Sequence, residues 1–155
     1  MDEEIDMIYF TSNMHLGHVA IIHMCNRPFK NVEEMNKVLI RNFNSMVHKN
    51  DTVYLLGDTT HRISLDEAND LISKLNGHKI RIRGNHDKKY DKSLFEGIYD
   101  FLALKGYCST SIFLMHYAMP EWPKSRYGSI HLHGHQHNGF EYNMQMKEQE
   151  IKSMM

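Results

Sequence analysis

Short apolar runs recur along this chain, and almost every one closes on a polar stretch built from Asn, His, Gly or Asp. Ile5 to Phe10 reads as a buried strand that Thr11, Ser12 and Asn13 break with small polar side chains. Thr52 to Leu56 shows no alternation, which predicts a strand covered on both faces. Ile80 to Arg83 does alternate, so Ile80 and Ile82 share one face while Arg81 and Arg83 take the other. Between these runs the spacing turns helical. Asn31 is a fair N-cap, Glu33 and Glu34 suit the first turn, and Met35, Val38, Leu39, Phe43, Met46 and Val47 line one side. Ser64-x-x-Glu67 is a capping box ahead of Leu65, Ala68, Leu71, Ile72 and Leu75, with Asn76-Gly77 as the stop. Strand, helix and strand from Thr52 to Arg83 form a βαβ unit, which requires parallel strands joined by a right-handed crossover. Shorter helices are expected over Val19 to Cys25 and around Ser93 to Glu96.

From Ile98 onward the pattern becomes β-rich. Tyr99 to Leu104, Cys108 to Met115, Ser129 to His133 and Gly139 to Met144 read as short strands. Residues 117–128 hold two of the three prolines and predict a loop, and residues 145–155 read as a frayed helix or flexible tail. The 155 residues fit one domain, 1–155, able to bury a core without disulfides. A net charge of −1 offers no general attraction to nucleic acid or anionic membrane, so phosphate binding has to come from local chemistry. Cys25 and Cys108 lack metal-ligand spacing and are expected as free thiols. The acidic start and the lack of an apolar stretch near ~20 residues lead us to expect a cytoplasmic protein without a membrane partner.

The placement of the chemistry matters more than its amount. Asn13-Met14-His15 follows the first strand, Gly57-Asp58 the second, and Gly84-Asn85-His86-Asp87 the third; His116 ends a fourth run and Gly134-His135-Gln136-His137 a fifth. An isolated histidine is more often structural than a ligand. Five strand-like runs each ending on a potential ligand are a different observation, because in an open α/β sheet such ends share one edge, and sites form there.

These five blocks, in this order, resemble the motifs of the calcineurin-like metallophosphoesterases, in particular the small phage and bacterial type, across residues 13 to 137. The resemblance implies an α/β fold: a two-sheet β-sandwich flanked by helices. It implies two divalent ions, Mn first, with Zn, Fe, Ni and Mg as alternatives. Asn13, His15 and His137 would hold one, and Asn85, His116 and His135 the other. Asp58 would bridge them, since a carboxylate has two oxygens. His86 would serve the leaving oxygen as the catalytic acid, with Asp87 orienting it. Paired ions suit phosphoester hydrolysis because they bind phosphoryl oxygens and acidify water.

Around that set, Arg27, His18, His61 and Tyr117 are candidate substrate contacts. Arg27 can grip phosphate bidentately but equally suits a surface ion pair; Tyr117 and Trp122 can stack on a base or simply pack. His131 and His133 share one strand face and are expected beside the site rather than in it. The resemblance departs at Asn13, where the family has Asp. An amide brings no charge, so the first site should bind metal more weakly. Natural tuning, a degenerate binding protein and a deliberate substitution all remain open.

The expected function is hydrolysis of a small phosphodiester or monoester, with a nucleotide as the favoured class, weakened by Asn13. A non-catalytic module binding a phosphorylated ligand, and a nuclease, are the alternatives. The lack of a basic surface argues against a long nucleic-acid partner. Twelve Met leave a homo-oligomer open, although Met also fills cores. A structural zinc protein fits poorly, because the ligand types are scattered along the chain without a Cys pair.

Overall fold

In a computed structural model describing residues 6–106 and 109–137, the first four strands form one parallel sheet. They are β1 (Ile8–Thr11), β2 (Thr52–Leu55), β3 (His78–Ile82) and β4 (Gly97–Tyr99), in the order β1-β2-β3-β4. A second sheet holds β5 (Phe101–Leu104), β6 (Ile112–Met115) and β7 (Ile130–Leu132), with β5 antiparallel and β7 parallel to β6. The helices are α1 (Ile21–Met24), α2 (Val32–Met46) and α3 (Leu65–Ser73). The result is the expected α/β architecture of two sheets with helices. The strand expected over Gly139–Met144, residues 145–155 and Cys108 lie outside the described residues. Among the described residues, no helix is long and apolar enough to cross a membrane.

The side-chain period of two decides the layering. Tyr54, Leu56 and Ile82 from the first sheet meet Leu104 and Leu114 from the second, with Phe10, Ile80 and Leu132 against them. The alternate residues Val53 and Leu55 turn to the helical side, where Val47, Phe43 and Phe95 pack on them. Leu39 and Phe43 of α2 join Leu71 and Leu75, and fully buried Met35 seats Ile21 and Ile22. Each large aliphatic side chain buried this way contributes about 1.5–3 kcal/mol.

Both long helices start where their caps dictate. Asn31 Oδ1 accepts from the Glu34 N–H at 2.8 Å, and Ser64 Oγ from the Glu67 N–H at 3.1 Å. Several boundaries differ from expectation: the strand expected over Cys108 to Met115 is Ile112–Met115, and the helix expected around Ser93 to Glu96 is a 3-10 turn at Lys92–Leu94. Only Ile21–Met24 of the Val19-to-Cys25 segment is helical. The stretch Tyr99 to Leu104 is two strands in different sheets, divided at Asp100, whose carboxylate accepts two hydrogen bonds from Arg83 at 2.7 and 2.9 Å. That ion pair sits at the crossing from one sheet to the other.

Parallel register aligns the strand ends. Thr11 pairs with Leu55 and Leu55 with Arg81, so the segments beginning at Ser12, Leu56 and Arg83 leave the sheet at one edge. In the second sheet, β6 and β7 run parallel and deliver His116 and the His133–His137 segment to the site as well.

Candidate metal centre

The loops at that edge are hydrogen-bonded to one another. Asn13 N–H donates to the Gly57 carbonyl at 3.1 Å, His15 N–H to Asp58 at 3.0 Å and Leu16 N–H to Thr59 at 2.9 Å, extending the β1–β2 pairing past the strands. Gly134 N–H donates to the His116 carbonyl at 2.9 Å. Close approach needs glycine at Gly84, where a Cβ would collide with the backbone N and Oδ1 of Asp58. Four of the seven described non-glycine residues at positive φ are Asn13, His15, Asp58 and His135. Left-handed backbone costs a non-glycine residue about 1–3 kcal/mol, and such strain clusters at functional sites.

Asp58, His116 and His135 each offer a ligand atom, all within 4.8 Å of one another. Asp58 is 1% exposed; its Oδ1 accepts the His86 N–H at 2.9 Å, and its Oδ2 lies 3.3 Å from His116 Nε2 and 3.8 Å from His15 Nε2. Burial opposes its ionisation, but the His116 and His86 hydrogen bonds outweigh this and hold its pKa at about 2. Burial likewise opposes a proton on His116, yet Asp58 and the Leu56 carbonyl raise its pKa. The centre therefore attracts positive charge. Asn85 Oδ1 completes the group, 2.9 Å from His116 Nε2 and 3.0 Å from His135 Nδ1.

Beside this group, His15 is 2% exposed, and neither ring nitrogen has a hydrogen-bond partner. Burial holds its pKa down at about 3, so it is a neutral imidazole with an available lone pair. Its ring centroid lies 5.0 Å from that of His137, which burial also keeps neutral. A buried imidazole without partners, beside an ionised carboxylate, fits divalent-cation ligation. Asn13 faces the same loop: its Oδ1 accepts the His135 N–H at 3.1 Å and its Nδ2 donates to the Gln136 carbonyl at 3.2 Å.

His86 is exposed and lies tilted against His61, centroids 3.9 Å apart; His61 in turn meets His18 at 4.4 Å. Tyr117 lies against His116 and His135, centroids 5.1 and 4.8 Å away, at the edge of the site. Trp122 donates to the Ser129 carbonyl and packs on His131, fastening the 117–128 loop. His131 bonds to Phe113 and Met119 backbone, outside the cluster.

Two expected roles need correction. Asp87 does not orient His86: its buried carboxylate accepts from Gly84 N–H at 2.8 Å, Thr59 N–H at 3.0 Å and Tyr90 O–H at 2.9 Å, with Arg81 Nε 3.8 Å away. It ties the third loop to the second. Arg27 donates to the carbonyls of Asn13 and Met14 at 2.9 and 2.8 Å, so its hydrogen bonds brace the first loop rather than leave it aimed at phosphate.

Three features were not anticipated. Arg81 is 3% exposed, its guanidinium 4.4 Å from the Tyr90 ring centroid. Thr60 donates to Tyr90 at 2.7 Å in the same network. Cys25 Sγ sits 3.5 Å from His137 Nδ1, a contact across 112 positions that no spacing rule could reveal. Alternation had assigned Arg81 to the face opposite Ile82, which was the one available signal. Because Asp87 and Arg81 are both buried, Asp87→Ala leaves a cation unpaired, and we expect a loss of about 3–5 kcal/mol in urea unfolding. An unchanged midpoint would contradict the bracing role.

A family profile described as calcineurin-like phosphoesterase matches residues 7–150. An uncharacterized protein of Methanocaldococcus jannaschii is 50% identical over 86 residues, covering 55% of this chain and 49% of that protein. The Gene 66 protein of Mycobacterium phage L5 is 37% identical over 81 residues, covering 51% and 39%. The matches thus span about half or less of these relatives' lengths. A solved structure of a protein of unknown function from Aquifex aeolicus aligns with a TM-score of 0.68 at 28% identity, over 88% of this chain and 82% of that one.

Proposed function

Because this chain belongs to the calcineurin-like phosphoesterase family, we propose that it is a metal-dependent phosphoester hydrolase acting on a small phosphodiester or monoester, a nucleotide being the favoured class. The observation that carries this reading is the convergence of Asp58, His116 and His135 within 4.8 Å, with Asn85 against two of them. Asn13, His15 and His137 would hold one divalent ion and Asn85, His116 and His135 a second, with Asp58 available to both. Two such ions, Mn²⁺ first and Zn, Fe, Ni or Mg as alternatives, would supply positive charge to phosphoryl oxygens and acidify water.

The chain's own groups do the rest. His116 is oriented by the Leu56 carbonyl at 2.8 Å, which leaves Nε2 directed at Asp58 and Asn85. The His86 backbone N–H fixes Asp58, while its exposed imidazole is free to give a proton to the leaving oxygen. Leu16, Thr59 and Thr60 back the site with buried side chains and limit water access from behind.

The test is a metal series on stripped protein, read with bis(p-nitrophenyl) phosphate and p-nitrophenyl phosphate. Metal-dependent release of nitrophenol is expected. Failure with every metal favours the alternative, a module that only binds a phosphorylated ligand, which the uncharged amide of Asn13 also suits.

Asn13 supplies a further prediction. Asn13→Asp adds a charged ligand, and we expect higher metal occupancy with activity raised about tenfold, the equivalent of ~1.4 kcal/mol of barrier. The opposing effect is the lost Nδ2 donor to Gln136, which sets a carboxylate beside a carbonyl. A variant slower than the parent at saturating Mn²⁺ would show that the amide is tuned to this loop and that Asn13 does not weaken the enzyme.

A further inference from the structure

The wall beside the candidate metal centre is made of imidazoles. His15, His18, His61 and His86 touch in sequence, with centroid separations of 5.5 Å for His15–His18, 4.4 Å for His18–His61 and 3.9 Å for His61–His86. His18 is 5% exposed, and its buried Nδ1 has no hydrogen-bond partner. Beside His61 stands Arg62, exposed, with Nε 3.4 Å from His61 Nε2. Its backbone is left-handed at φ 57, an unusual conformation for Arg just ahead of the Ser64 cap. Lys88, also exposed, follows His86 by two positions and acts electrostatically on His61.

Charge here is unbalanced. Apart from burial, the groups acting most strongly on His18 are His61, Arg62, His86 and Arg27, all of them cationic when charged. For His61 they are His86, Arg62, Asp58 and Lys88, and the single carboxylate in that set is the one assigned to the metals. Among the described residues, neither Arg62 nor Lys88 forms a salt bridge. A row of imidazoles flanked by two exposed cations without a carboxylate partner is a cradle for an anion.

We propose that His18, His61, Arg62 and Lys88 form a subsite for a second phosphate, so that the preferred substrates carry a phosphate on the leaving side of the scissile phosphoryl group, as nucleoside polyphosphates and other phosphoanhydrides do. The direction rests on the functional reading above, because His86, assigned to the leaving oxygen, packs directly on His61 of this wall, with centroids 3.9 Å apart. A substrate with one phosphate fills the metal centre and leaves Arg62 and Lys88 unused. One with two adjacent phosphates fills both.

The experiment is calorimetric titration of the full chain at fixed free Mn²⁺, with inorganic phosphate and with methylenebisphosphonate, whose P–C–P link resists hydrolysis. The parent should bind the bisphosphonate at least about tenfold more tightly than phosphate. In the variant carrying Arg62→Gln and Lys88→Gln most of that preference should vanish while phosphate affinity moves by less than about threefold, which also shows that the variant is folded. Arg62→Lys, which keeps the charge, should retain it. A parent without the preference, or a double variant that keeps it, overturns the subsite. Preference without hydrolysis of any ester or phosphoanhydride overturns the enzymatic reading and leaves the subsite standing; hydrolysis without preference does the reverse.

Discussion

Asp58→Ala should abolish metal retention and lower phosphoester hydrolysis by about 10³-fold or more, the loss expected when roughly 4 kcal/mol of electrostatic stabilisation is withdrawn. The size follows from its position. Asp58 is the one carboxylate among the candidate ligands, it is 1% exposed, and its oxygens face His86 N–H, His116 and His15 at once. The substitution also has a signature that needs no metal. Asp58 raises the pKa of His116 against the burial that opposes it, so in Asp58→Ala the His116 ring should lose its proton at lower pH than in the parent. Metal content per chain and the NMR titration of His116 check the two halves. Parent-level metal with an unmoved His116 titration would remove Asp58 from the centre.

His86→Gln should leave metal content intact and reduce turnover about 10²–10⁴-fold, the range for loss of a positioned general acid. The two effects separate because the residue contributes to the site in two ways. Its backbone N–H holds Asp58 at 2.9 Å, and any residue but proline at this position keeps that donor. Its side chain is exposed against His61 and is what the substitution removes. The loss should shrink for esters with a good leaving group, such as p-nitrophenol, and grow for alkyl esters whose oxygen needs a proton. Equal losses for both would assign His86 to binding, and lost metal with normal turnover per bound ion would make it a ligand.

Much of this molecule could be anticipated because its signals are local. A strand's alternation, a capping Asn31 or Ser64, and a polar break after an apolar run concern residues within a few positions of one another, and backbone geometry converts them directly into elements. Parallel connectivity then forces the ends of β1, β2 and β3 to one edge, so the convergence of Asn13, Asp58 and Asn85 followed from order alone. Where the local signal was continuous, expectation went astray. Tyr99 to Leu104 looks like one strand because apolar residues flank Asp100, and the division comes from long-range pairing, Tyr99 with Ile82 in one sheet and Phe101 with Met115 in the other.

The sequence by itself determined the elements, their parallel order and the edge where the ligand-bearing loops gather, since these depend on periodicity and chain connectivity. Only the tertiary structure decided what each polar side chain at that edge faces. It turned Asp87 onto Gly84, Thr59 and Tyr90, Arg27 onto the carbonyls of Asn13 and Met14, Cys25 onto His137, and His18, His61 and His86 into one wall. The physical reason is that a loop's side chains have no period to follow. Their directions are set by the partners that satisfy buried charges and hydrogen bonds, and those partners arrive from distant parts of the chain only when the sheets pack.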